Sequence, residues 1–144
     1  MKTLTLLSIV ILGLLSACSR EPEPIVYGKD ACTHCKMTIM DNRFAAEIIT
    51  AKGKIFKFDA AECMADFLKE NVETATNAKS IFLVSDFDHP GQLVDARTAW
   101  FVNDNSLSSP MGANLAGFSS KDSANALTKD NSKVFTWATL LKSK

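Results

Sequence analysis

The chain reads as an α+β protein built from two small ββαβ modules. A weak internal repeat predicts this: Phe58, Lys69 and Asn71 recur as Phe118, Lys129 and Asn131, an offset of 60 residues. Each copy also has the same local order, in which a strand-like run meets a tight turn and a helix start. An apolar run then follows each helix.

The elements follow in chain order. Met1-Lys2-Thr3 is a minimal basic start, and an apolar run extends from Leu4 to Leu15. That run is too short to span a bilayer and has the character of a secretion-signal core. Leu15-Ser16-Ala17-Cys18 resembles the lipobox of bacterial lipoproteins, so residues 1–17 are expected to be cleaved and Cys18 lipidated, anchoring the chain to a membrane. An ordinary signal peptide with a chance cysteine is the alternative, against which stands the polar tether that follows Cys18 at once. Residues 18–29 hold two prolines, two glutamates and Gly28, and are expected to form a solvated, extended tether.

The first module is assigned to residues 30–88. Strand-like runs at 44–50 and 55–58 flank Gly53, the signal of a hairpin turn. Asp59, with Glu62 three residues on, has the pattern of a helix N-cap and capping box. Apolar residues 81–84 complete the unit. The second module is assigned to residues 89–144, with strand-like runs at 93–96 and 99–102 and a loop-like stretch at 103–111. A further run ends at Phe118, and Ser119 with Asp122 repeats the cap pattern. Apolar residues 134–137 follow, and residues 137–144 suit a short closing helix.

Charge narrows the function classes. The chain has 16 Lys+Arg and 16 Asp+Glu. Removing residues 1–17 removes Lys2, leaving 15 against 16, or −1. No basic stripe is present, which argues against a nucleic-acid partner. Nothing after Leu15 is long enough for a transmembrane helix.

Four cysteines become three once Cys18 is lipidated, and an odd number cannot pair off within one chain. Unpaired thiols in an oxidising compartment point to metal or redox chemistry. Cys32-Thr-His-Cys35-Lys-Met37 gathers two thiols, a thioether and an imidazole within six residues. Thiolate with thioether is the set that soft Cu(I) prefers.

Cys-x-x-Cys is also compatible with a redox pair or a structural disulfide. A redox pair should open a helix, whose N-terminus lowers the thiol pKa. Here Cys35 runs into Lys36-Met-Thr-Ile-Met40, which is no helix start. A structural zinc site needs four ligands; Cys32, Cys35, Cys63 and a histidine would supply them. Met37 discriminates between metals, being a poor zinc ligand and a good Cu(I) ligand, although alternation with Ile39 also suits core packing.

His34 lies between the cysteines, and in an extended segment its ring would face away from both sulfurs. His89 reads as a solvated loop residue. Cys63 falls inside the first helix, where a small buried hydrophobe is the ordinary role. Met40 and Met64 read as core or rim. Met111, in Ser108-Ser-Pro-Met-Gly112, is either a loop-tip hydrophobe or a ligand supplied from across the molecule.

Four segments together carry a family resemblance: the lipobox, Asp30-Ala-Cys-Thr-His-Cys-Lys-Met-Thr-Ile39, Lys57-Phe-Asp-Ala-Ala-Glu-Cys-Met64, and the second half. The last includes Gly91-Gln-Leu-Val-Asp-Ala96, Ala99-Trp-Phe-Val102 and Pro110-Met-Gly-Ala-Asn-Leu-Ala-Gly-Phe118. The chain resembles the NosL family of lipoprotein accessory factors for nitrous-oxide reductase.

The resemblance implies a fold of two ββαβ modules related to part of the organomercurial lyases. It implies a Cu(I) chaperone rather than an enzyme, lipid-anchored and facing the periplasm. Copper would pass to an envelope copper enzyme, the copper–sulfur centre of nitrous-oxide reductase, together with its maturation machinery. By position, Cys32, Cys35 and Met37 carry over from the cysteine motif and Met111 from Pro-Met-Gly. His34 and Cys63 stand as secondary donors. An envelope thiol–disulfide oxidoreductase using Cys32 and Cys35, or a structural zinc module, are the alternatives.

Overall fold

The computed structural model describes residues 20–143. The leader, the lipobox with Cys18, and Lys144 lie outside the described residues. Seven strands and four α-helices follow in an α+β arrangement. They are β1 (Ala46–Ile49), β2 (Ile55–Phe58), α1 (Ala61–Glu70), α2 (Val72–Thr76), β3 (Ile81–Asp86) and β4 (His89–Asp95). Then come β5 (Trp100–Asn103), β6 (Leu115–Phe118), α3 (Lys121–Leu127), β7 (Val134–Thr136) and α4 (Trp137–Ser143). No helix among the described residues is long and apolar enough to cross a membrane.

All strands belong to one sheet of order β2-β1-β3-β6-β5-β7, with β4 also on β3. In the first half β1 pairs antiparallel with both β2 and β3. In the second half β5 pairs antiparallel with both β6 and β7. Each half therefore places its first strand between the other two, with a helix crossing between them. The halves meet where β3 and β6 run parallel, at Asp86 opposite Gly117. A Cβ on Gly117 would lie 3.1 Å from Val84 Cγ2 and 3.3 Å from the Ser85 carbonyl oxygen, so only glycine fits this junction without displacement.

Burial follows residue type. Every residue of β1 is buried, including Glu47. Helix α1 turns Ala61, Cys63, Met64, Ala65 and Leu68 inward and leaves Lys69 and Glu70 exposed, the single apolar stripe of a helix lying on a sheet. The rings of Phe56 and Phe58 both pack on Phe67 of the same helix, with centroids 4.9 and 5.3 Å apart. One apolar cluster joins β1, β3, α1, Phe101 and Trp137; a second lies around Val102, Ala116, Phe118 and Ala124.

Three local expectations differ from the structure. Residues 93–95 were expected to open the second half but lie in β4, which pairs with β3. The partner of β5 is instead β6, reached through a loop of residues 104–114. A pairing across so long a loop leaves no hairpin signal in sequence. Asp59 does not cap α1: the N-cap position is Ala60, with no side-chain hydrogen bond. In α3 the cap is Ser120 rather than Ser119, its hydroxyl accepting from the Ser123 N–H.

The segment expected to be a free tether is tied down from Arg20 onward. Arg20 donates to the Lys79 carbonyl, the Glu23 N–H to Glu47 Oε1, and Lys57 Nζ to the Pro24 carbonyl. Ile25 and Tyr27 pack against the core.

Candidate metal centre

The cysteine motif is a tight hairpin, not the extended segment its sequence suggests. Gly28 donates to the Ile39 carbonyl, Ile39 to that of Asp30, and Cys32 to that of Met37. Ala31 and Thr38 form an isolated bridge between the two arms. The turn at 33–36 closes through the Lys36 N–H on the Cys32 carbonyl, with Lys36 at φ 67 in the left-handed region. This turn brings Cys35 back beside Cys32.

Two contacts fasten the hairpin to β2. The Thr33 N–H donates to the Lys57 carbonyl at 2.7 Å, and Lys57 Nζ pairs with Asp30 at 2.8 Å. Lys57 is two residues before Asp59, so the same strand that holds the turn delivers the aspartate. Helix α1 begins immediately afterwards and presents Cys63 one turn in.

The result is a cluster of Cys32, Cys35, Asp59 and Cys63, whose sulfurs and carboxylate oxygen all lie within 4.8 Å of one another. Cys32, Asp59 and Cys63 are each only 1% exposed, while Cys35 is half-buried at the rim. All three cysteines are free thiols. The Cys35 thiol donates to Asp59 Oδ2 at 3.4 Å, and Asp59 Oδ1 is buried without a hydrogen-bond partner.

The sulfurs are electrostatically unequal. Cys32 is drawn down to about 6, first because the Cys63 thiol donates to it, and further by the backbone N–H groups of Asp59 and Cys35; burial opposes the shift. Cys35 is pushed up to about 11, chiefly by burial, with the neighbouring Cys32 sulfur and Asp59 acting in the same direction. Cys63 is also held protonated, first by its hydrogen bond to Cys32 and then by burial and the Asp59 charge. Of the three sulfurs Cys32 is therefore the most readily ionised, while Cys35 and Cys63 hold their protons.

The remaining expected donors are placed differently. Met37 sits opposite Cys32 across the hairpin and is 55% exposed, so it does not pack in the core as alternation with Ile39 suggested. Met40 is exposed and Met64 buried. Met111 is 44% exposed in a turn closed by Gly112 N–H to the Ser109 carbonyl. Its loop reaches the first half through Ser109, whose hydroxyl donates to Glu62, the neighbour of Cys63.

His34 lies in the turn but outside the cluster. The His89 ring Nδ1 is 2.9 Å from buried Asp86 and serves the β3–β4 turn. A surface cavity of about 230 Å³ lined by Lys52, Lys54, Phe56 and Glu73 carries no thiol or imidazole.

Sequence reasoning gave Asp59 a helix-cap role and named Cys63 as a secondary donor beside its ordinary packing role. Asp59 was missed as a donor; its spacing of four residues from Cys63 is the signal that a strand-to-helix turn converts into proximity.

A family model described as NosL matches residues 25–139. Among solved structures, the chain is similar to the crystal structure of the copper chaperone NosL from Shewanella denitrificans. The two share 22% sequence identity over 87% of this chain and 98% of that one, with a TM-score of 0.71, a likeness of fold. No curated protein matches the chain.

Proposed function

The chain belongs to the NosL family, and on that premise we propose that it is a Cu(I) chaperone of the cell envelope. Its cargo is held by the thiolates of Cys32 and Cys35 with the thioethers of Met37 and Met111. The observation that carries this reading is the meeting of Cys32 and Cys35 in one cluster, with both methionines exposed and on segments tied to it. Met37 is hydrogen-bonded through its backbone to Cys32, and the Met111 loop is bound to α1. Thiolate and thioether donors match a soft monovalent ion. A site with one sulfur at the rim and thioethers in solvent lets a partner's ligands replace its own one at a time.

The name of the similar structure, a copper chaperone, agrees with this cargo. The lipobox at Cys18 supports a membrane anchor facing the periplasm, and the family resemblance supports nitrous-oxide reductase and its maturation machinery as the receiving partner. The role is carriage rather than catalysis. A dithiol oxidoreductase needs an accessible thiol of lowered pKa. Here the accessible sulfur is Cys35, held up at about 11, and the lowered one is buried Cys32.

The test is an anaerobic Cu(I) competition titration of the purified, reduced full chain against a chromophoric chelator. One-to-one binding is expected. Cys32→Ser, Cys35→Ser, Met37→Ala and Met111→Ala are each expected to weaken it by about tenfold or more, ~1.4 kcal/mol apiece. Unchanged affinity in the double cysteine variant would overturn the reading.

A further inference from the structure

The end of the sheet opposite the cysteine cluster has no task in the copper reading. Strand register sets Ile49 beside both Ile55 and Ile81, so the β1–β2 turn and the residues before β3 share that end. Lys52 and Lys54 stand on the turn and Lys79 just before β3, all three exposed. Arg20 joins them, its guanidinium donating to the Lys79 carbonyl at 2.8 Å. None of these cations forms an ion pair among the described residues. Glu73 and Glu21 are the nearby acids, so positive charge is in excess here although the chain as a whole has 16 basic and 16 acidic residues.

These side chains sit on fixed backbone. The turn is closed by the Gly53 N–H on the Thr50 carbonyl and the Lys54 N–H on the Thr50 hydroxyl. The Lys79 N–H donates to the Asn77 side chain, and Lys54 Nζ lies 4.6 Å from the centre of the Phe56 ring. Between the turn and α2 opens the cavity of about 230 Å³, whose lining includes Lys52, Lys54, Phe56 and Ser80. The Ser80 hydroxyl is buried there with no hydrogen-bond partner. A buried hydroxyl left unmet is costly, which marks the place for a polar ligand. The cavity is smaller than the about 300–1,000 Å³ of sites for drug-sized ligands. It has room for a lipid headgroup and not for a whole lipid.

The two residues of chain from Arg20 back to Cys18 span at most about 7 Å. An anchor on Cys18 therefore emerges beside the basic end, inside the ~8 Å over which charges act at physiological salt. Basic residues so close to anionic lipid are drawn to it. From Arg20 the chain runs up the sheet away from the anchor: Glu23 meets Glu47, Pro24 meets Lys57, and the cysteine hairpin follows. Lys54 precedes β2 and Asp59 follows it, which sets the two ends on the order of 15 Å apart.

We propose that the end bearing Arg20, Lys52, Lys54 and Lys79 docks on anionic phospholipid of the membrane that holds the anchor. The cavity between the β1–β2 turn and α2 receives a phosphodiester headgroup, with Lys52 and Lys54 supplying charge and Ser80 a hydroxyl donor. The cysteine cluster then faces away from the bilayer, toward the partner that takes the copper. This orientation rests on the proposed anchor at Cys18 and not on the Cu(I) ligand set.

The experiment footprints lysines by acylation and mass spectrometry on the full processed chain, purified with its anchor. The chain is reconstituted in vesicles of phosphatidylcholine alone or of phosphatidylcholine and phosphatidylglycerol in equal parts. The N-terminal peptide in the same spectra reports whether Cys18 carries lipid. Lys52, Lys54 and Lys79 are expected to react about fivefold more slowly in the anionic vesicles. Lys36, Lys121 and the alkylation of Cys35 are expected to be unchanged. Lys52→Gln with Lys54→Gln is expected to abolish the protection of Lys79. A phosphatidylglycerol with a photoreactive headgroup is expected to cross-link to the β1–β2 turn or to α2.

Equal reactivity of the three lysines in both vesicles, with lipid on Cys18, overturns the proposal. So does protection of Cys35, cross-linking confined to other elements, or equal protection by inorganic phosphate added to the neutral vesicles. A Cys18 without lipid overturns the anchor and the orientation together.

Discussion

The Ser109 hydroxyl donates a 2.6 Å hydrogen bond to Glu62 Oε1, joining buried residues 47 positions apart. It fastens the loop that carries Met111 to the helix that carries Cys63. A buried bond to a carboxylate is among the stronger kinds. Ser109→Ala is therefore expected to lower stability by ~1–3 kcal/mol in a denaturant titration. It should also weaken Cu(I) binding as far as Met111→Ala does, with the double variant no worse than either. Additive losses in the double variant would mean that the bond does not position Met111.

Metal loading should be pH-dependent in two stages. Cys35, held up mainly by burial at about 11, stays protonated at neutral pH. Cys32, lowered to about 6 by the Cys63 thiol and two backbone N–H groups, is already a thiolate. Cu(I) binding to both then displaces about one proton above pH ~7 and about two below pH ~5. The apparent affinity is expected to rise about tenfold per pH unit in the first range and ~100-fold per unit in the second. A slope of two throughout would place the thiolate elsewhere.

Glu47 faces Lys57 across the β1–β2 hairpin. Burial raises its carboxyl from 4.5 to about 7, against the Glu23 N–H and Lys57, which favour the charge. A carboxyl whose folded pKa lies above its unfolded one contributes stability that is complete below the unfolded value and is lost as pH rises through the folded one. The loss therefore falls between about pH 4.5 and 7. Glu47→Gln escapes it and is expected to exceed the parent by ~1–3 kcal/mol at pH ~8, with no difference at pH ~4. Thermal melts at the two pH values check this.

Gly117 is where the two halves of the sheet touch. Its Cβ would press on Val84 and on the Ser85 backbone, which lies in a paired strand and cannot yield. Gly117→Ala is expected to cost ~1–3 kcal/mol by overpacking. An unchanged melting temperature would show the junction to be looser than its distances.

The elements were legible where their signals are local. The recurrence of Phe58 as Phe118 marks the ends of β2 and β6, each followed by a helix three residues later. The β5–β6 pairing was not legible, because residues 104–114 separate strands whose partnership depends on the whole sheet. The same holds for the site. Cys32 and Cys35 announce themselves by spacing, whereas Asp59 and Cys63 join them through the long-range contacts that Thr33 and Asp30 make with Lys57. The turn that makes this contact depends on a left-handed Lys36, a conformation that lysine does not advertise.

The central claim is tested most directly by X-ray absorption at the copper edge of the full chain carrying one Cu(I). The expected first shell is sulfur alone, from Cys32, Cys35 and the thioethers, and it loses one sulfur in Met111→Ala. A first shell with oxygen or nitrogen scatterers, or one unchanged by Met111→Ala, would contradict the thiolate–thioether site.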